Sequence, residues 1–90
     1  MASNFQIFHF QGRDSLHLQM RGDFDGTSAY ELINTLKKQN GYYFEVFIDT
    51  SDLHEINAFG IEVFENNWKL LFKNNKKPKF IGKHKHRFFL

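Results

Sequence analysis

The chain has 90 residues, 41% of them hydrophobic, and carries 12 Lys or Arg against 10 Asp or Glu, a formal net charge of +2. That length predicts a single domain over residues 1–90 with one modest core, since a chain this short buries only roughly 60–65% of the surface its unfolded form exposes. The absence of cysteine excludes disulfides, thiolate metal sites and cysteine nucleophiles, and no apolar run reaches the length of a membrane span or a signal-peptide core.

The first run, "NFQIFHFQ", has strand composition, with Phe5 and Ile7 on one parity and Phe8 and Phe10 on the other. Mixed parity predicts a bulge or burial on both faces. "GRDS" follows as turn material, and "SLHLQMR" alternates Leu16, Leu18 and Met20 against His17, Gln19 and Arg21, a half-buried strand that completes a hairpin. The period then changes. Ser28 with Glu31 fits a capping box, and Ala29, Leu32, Ile33 and Leu36 form an apolar helical stripe. Lys37 and Lys38 suit the negative end of that helix, and Asn40-Gly41 stops it.

"YYFEVFIDTSDL" is a third strand, with Phe44, Val46 and Ile48 on one face and Tyr43 and Phe47 on the other. Such continuity fits a central strand covered on both faces or flanked on both edges. Its expected end is the polar group Asp49, Thr50, Ser51 and Asp52. Helical spacing resumes at Ala58, with Ile61, Phe64, Trp68 and Leu71 in one stripe widened by Val63, Leu70 and Phe72, and ends near Pro78. "KFIGK" is a short last strand, and "HKHRFFL" reads as a further strand piece. The order β-β-α-β-α-β predicts an α/β fold, a mixed β-sheet with helices packed on it.

Charge is unevenly placed. Up to Glu65 there are ten acids against four bases, a net of −6, and after it eight bases with no acid. A basic end of this kind is either an edge facing solvent or an acidic face of the same molecule, or the footprint of an anionic partner. Lysines interleaved with Phe80, Phe88 and Phe89 give one alternative function, a small nucleic-acid-binding domain. The amphipathic "WKLLFKNNKK" raises a membrane-surface reading, but its apolar residues are needed to cover the sheet.

Several constellations suggest chemistry only weakly. Asp23, Asp25, Asp49 and Asp52 are the residue types of a hard-cation site, yet each also suits a helix cap or strand end. Asp49, Ser51 and His54 contain triad residue types, but three residues in one short segment supply no triad geometry. His84 and His86 would share one side of a strand, in cationic surroundings that oppose a bound cation. Phosphate-cradling glycine loops are absent. The expectation is a protein that is not an enzyme and uses no metal or cofactor.

Two segments carry a resemblance. In "LHLQMRGDFDGTSAYELINTL" a strand leads through Gly22-x-x-Asp25 into a helix, and in "VFIDTSDLHEINAFGIEVF" an apolar strand with Asp49-x-Ser51 leads to a turn at Asn57-Ala58-Phe59-Gly60 and a second helix. Together they resemble the STAS domain, the module of bacterial anti-sigma-factor antagonists and of the cytoplasmic part of sulfate transporters. The resemblance covers roughly residues 5–82. It implies a cytoplasmic signalling module, involved in transcription regulation, that binds an anti-sigma factor, a kinase of the ATP-binding type, or a transport or signalling complex. It also places the protein-binding surface at Asp25, Ser51, Asn57, Ala58, Phe59, Gly60 and Glu62.

The chain departs from the family where the family is switched. Asn57 stands in place of the usual Asp, and Ala58 and Phe59 stand in place of two hydroxyl residues. The hydroxyl before the glycine is the one a partner kinase phosphorylates, and here that position is Phe59, which has no oxygen to modify. The resemblance therefore implies binding without the phosphorylation switch. Phe59 either folds into the core or projects as an aromatic anchor, and Ser28, Thr50 and Ser51 are the substitute hydroxyls. The helix that many family members carry after the last strand is also missing, which favours pairing with a second copy of the chain to form a homodimer.

Overall fold

The computed structural model describes residues 4–39, 45–71 and 78–88. Within them the order is β1 (Gln6–Gln11), β2 (Ser15–Phe24), α1 (Gly26–Gln39), β3 (Glu45–Ile56), α2 (Ala58–Leu71), β4 (Lys79–Ile81) and a 3-10 helix, Lys85–Phe88. The strands form one sheet in the order β1-β2-β3-β4. Strand β1 is antiparallel to β2, whereas β2, β3 and β4 run parallel. This is the mixed α/β architecture that the apolar periodicity predicts. The expected stop at Asn40-Gly41, the Tyr43 and Phe44 positions, Phe72 and Phe89 lie outside the described residues.

The hairpin forms where the turn chemistry places it, with the Gly12 amide donating to the Ser15 carbonyl at 2.8 Å. Alternation along β2 then sorts the sheet into two faces. Leu16, Leu18 and Met20 are fully buried, and Ala29, Leu32, Ile33 and Leu36 of α1 meet them with Val63, Phe64 and Trp68 of α2. The two helices also pack on each other. Each large apolar side chain so buried contributes about 1.5–3 kcal/mol. A relay of rings runs through this core. Phe5 meets Phe24 edge-on (5.9 Å between centroids), Phe24 meets Phe88 (4.9 Å), Phe88 stacks on Phe80 (4.8 Å), and Phe80 meets Phe64 (5.7 Å).

Three expectations change. Burial on both faces is not what resolves the mixed parity of β1, whose pairing with β2 is unbroken. Phe8 and Phe10 instead lie on the face without helices, 36% and 56% exposed, opposite Gln19 and His17. Strand β3 does not end at Asp49–Asp52 but continues to Ile56 through two register shifts against β2. Each shift inserts one residue, so the buried positions run Ile48, Thr50, Leu53 and then half-buried Ile56, while the pairs Ser51-Asp52 and His54-Glu55 face solvent. Finally, Lys85–Phe88 form a 3-10 helix with Phe88 buried rather than a strand, so His84 and His86 are not strand neighbours.

Candidate docking site at the paired helix starts

Adjacent parallel strands set up the site. Strands β2 and β3 end side by side, and each passes through a single residue, Asp25 or Asn57, into its helix. The Asn57 amide donates to the Phe24 carbonyl at 2.8 Å, tying the two exits together. Both junction residues are helix caps. Asp25 Oδ1 accepts the Ser28 amide (3.0 Å), and Asn57 Oδ1 accepts the Phe59 amide (2.7 Å). The predicted capping box on Ser28 is thus corrected. Ser28 is fully buried inside the first turn of α1, where its hydroxyl donates to the Asp23 carbonyl (2.8 Å) and lies 3.2 Å from Asp25 Oδ1. Asp and Ser are both good caps, and only the backbone path decides between them.

The Ser28 amide lowers the pKa of the Asp25 carboxyl, with further help from the Ser28 hydroxyl and the Thr27 amide, against an opposing effect of burial. Gly60 allows the two helix starts to approach. A Cβ at that position would sit 2.7 Å from the Asp25 carbonyl carbon and 2.8 Å from its oxygen. Gly22, at the bulged end of β2, has a φ of 91° and lies against the Asn4 backbone, so the family-like glycine serves a left-handed backbone.

Phe59 settles between its two readings by direction. It is 63% exposed and joins no core cluster, and its ring lies across Gly26, with Cε2 3.1 Å from where a Cβ on Gly26 would be. With Tyr30, 54% exposed, it flanks an open depression of about 420 Å³ whose other walls are Asp25, Gly26, Thr27 and Asn57. Ala58 is exposed beside it, and Glu62 is exposed in the second turn of α2. The residues expected from the resemblance therefore gather at this corner, except Ser51. Tyr30 and Gly26 belong to the site but not to the motifs. A tyrosine on the polar side of the α1 stripe was the available signal for the first.

Ser51 serves another junction. Its amide donates to Asp49 Oδ1 (2.9 Å), and its hydroxyl accepts the Lys83 amide (3.0 Å). Next to it, the fully buried Thr50 hydroxyl donates to the Ile81 carbonyl (2.9 Å) and accepts the His84 amide (3.0 Å). Together they fasten the turn after β4. Of the substitute hydroxyls, Ser28 and Thr50 are fully buried, and Ser51 is exposed but engaged.

The other constellations dissolve into structural tasks. Asp23 Oδ1 accepts the Glu55 amide (3.1 Å) and lies 3.8 Å from His54 Nδ1, while Asp52 meets Gln19 and Arg21. Among the described residues no three His, Asp or Glu side chains group as metal ligands. His54 faces Asp23 rather than Ser51, so no triad forms. In the basic end, Phe88 is buried and Phe80 is stacked on it, so neither ring is available to stack a base. Lys79 pairs with Glu45 at 2.9 Å, and Arg87 donates to the Ile56 carbonyl (3.0 Å), one residue before the corner. Among the described residues no helix is long and apolar enough to cross a membrane.

No protein-family profile and no curated protein matches the chain. Solved structures do. The fold is similar to that of the anti-sigma factor antagonist SpoIIAA in its unphosphorylated form, with a TM-score of 0.53 and 13% identity, covering 74% of this chain and 62% of that one. It is also similar to an uncharacterised protein of the DUF3478 family with a SpoIIAA-like fold from Shewanella loihica PV-4, with a TM-score of 0.59 and 18% identity, covering 92% and 72%. The chain thus has a STAS-like, SpoIIAA-like fold and spans 62% of the length of the SpoIIAA structure.

Proposed function

We propose that this STAS-like domain is a non-enzymatic docking module of the bacterial cytoplasm, of the anti-sigma-factor-antagonist kind, that binds its partner without a phosphorylation switch. The partner class is a regulatory protein, an anti-sigma factor or kinase of the ATP-binding type or another signalling or transport component. The observation that carries this reading is the exposed Phe59 ring at the paired helix starts, where the family bears a hydroxyl. A benzyl group there offers an apolar anchor beside Tyr30, and buried aromatic anchors commonly dominate binding energy.

The test is calorimetric titration of a purified ATP-binding anti-sigma factor from the same organism against wild-type protein, Phe59→Ala and Tyr30→Ala. Truncating an anchor costs about 2 kcal/mol or more, so Phe59→Ala should weaken binding by roughly thirtyfold. Binding should be the same with and without prior incubation with ATP, and mass spectrometry should find no phosphate on the chain. Phosphorylation at Ser51 that alters binding, or binding indifferent to both aromatic substitutions, would overturn the reading.

A further inference from the structure

The sheet has two edges, and they are built differently. Strand β4 has only three residues, begins at Lys79 directly after Pro78, and is closed by the turn that Thr50 and Ser51 fasten. Short length, proline and lysine are the usual ways in which an edge strand avoids pairing with another chain. Strand β1 has none of them. It is Gln-Ile-Phe-His-Phe-Gln, six residues without formal charge, proline, glycine or a register shift. Among the described residues no strand pairs with its outer edge.

We infer that β1 is a homodimerisation edge, pairing antiparallel with β1 of a second copy about a two-fold axis at His9 to make one continuous eight-stranded sheet. The sequence of β1 is self-complementary in that arrangement. Strands in one sheet keep like faces together, because side chains alternate and opposed residues point the same way. With His9 opposite its own counterpart, Phe8 faces the partner's Phe10 and Phe10 faces the partner's Phe8, all on the face without helices. Four half-exposed rings then close into two cross-strand aromatic pairs, an arrangement that stabilises antiparallel sheets. On the helical face, Ile7 meets the partner's Gln11.

Charge complementarity favours a second copy over an unrelated strand. The groove between β1 and α1 is lined by residues 5–9 and, from the helix, by Glu31, Asn34, Thr35 and Lys38. Glu31 and Lys38 lie about 10 Å apart along the helix axis. A two-fold axis reverses that order in the partner, so Glu31 of each copy is directed toward the partner's Lys38, twice. The neutral strand offers nothing for a charged peptide to select. This surface is separate from the corner around Phe59, so both can be occupied together.

Sedimentation velocity over a concentration series from micromolar to near-millimolar tests the inference. The wild-type chain should associate to a dimer, and Phe10→Lys should weaken that association at least tenfold while leaving the melting curve unchanged at dilutions where both chains are monomeric, since Phe10 is exposed. Phe59→Ala should leave association unchanged. Because the chain has no cysteine, His9→Cys treated with a short bis-maleimide should give a covalent dimer, whereas His86→Cys at the same concentration should not. A wild-type chain that stays monomeric throughout, whether or not β1 then accepts a strand from another protein, would overturn the inference. So would a dimer indifferent to Phe10→Lys and not captured at position 9.

Discussion

Replacing Gly60 with alanine sets two effects of opposite sign against each other. Gly60 lies in the first turn of α2, where alanine is the better helix former by about 0.8–1 kcal/mol. Local propensity alone therefore predicts a more stable protein. The neighbourhood predicts the reverse, because the new methyl would lie 2.7, 2.8 and 2.9 Å from three backbone atoms of Asp25. Backbone cannot swing aside as a side chain can, so the two helix starts must separate. Overpacking of this kind costs about 1–3 kcal/mol, and displacing the Asp25 cap adds about 1 kcal/mol. Net of the propensity gain, Gly60→Ala should destabilise the fold by about 2 kcal/mol, which lowers Tm by roughly 8–16 °C in a domain of this size. Urea titration followed by circular dichroism measures the effect as a lower midpoint with an unchanged slope. A variant as stable as the wild type, or more so, would refute the close approach of the two helices and with it the geometry of the proposed docking corner.

Other expected outcomes follow from single contacts. Asp25→Ala should cost about 1 kcal/mol at neutral pH. Because the Asp25 pKa is lowered in the fold, that stabilisation is complete above the ordinary carboxylate value of about 3.9 and is lost as pH falls through the lower folded value. The gap between variant and wild type in urea midpoint should therefore narrow in acid. Thr50→Val keeps the shape of a buried residue but strands the Ile81 carbonyl and the His84 amide, so it should cost about 1–3 kcal/mol and raise hydrogen exchange in residues 82–88. Phe59→Ala removes an exposed ring and should change stability by no more than about 0.5 kcal/mol while abolishing most partner affinity, which a melting curve and a binding titration separate.

Periodicity made most of the fold legible. The alternation of Leu16, Leu18 and Met20 and the stripe from Ala29 to Leu36 both proved to be core, and the change of period at Gly22–Asp25 marked where a strand becomes a helix. The reading failed where alternation is interrupted by design. In β3, two inserted residues place Ser51-Asp52 and His54-Glu55 outward as adjacent polar pairs, a pattern that in one dimension looks like a loop. Phe88 was similarly opaque, because its burial depends on Phe24 and Phe80, which are remote in sequence. At the corner, Asp25, Asn57 and Gly60 were recognisable from their order, but the outward direction of Phe59 depends on the missing side chain of Gly26, thirty-three positions earlier.

The relay of phenylalanine rings bears on how the molecule comes apart. Phe5 and Phe88, remote from each other in sequence, both abut Phe24, so neither the lead-in to β1 nor the 3-10 helix can peel away without breaching the same aromatic seam. Losing the last turn would leave Phe80 and Phe64 severed from Phe24, two half-seams in place of one. Unravelling should therefore be concerted rather than stepwise, with the short 3-10 helix Lys85–Phe88 acting as the keystone for the whole.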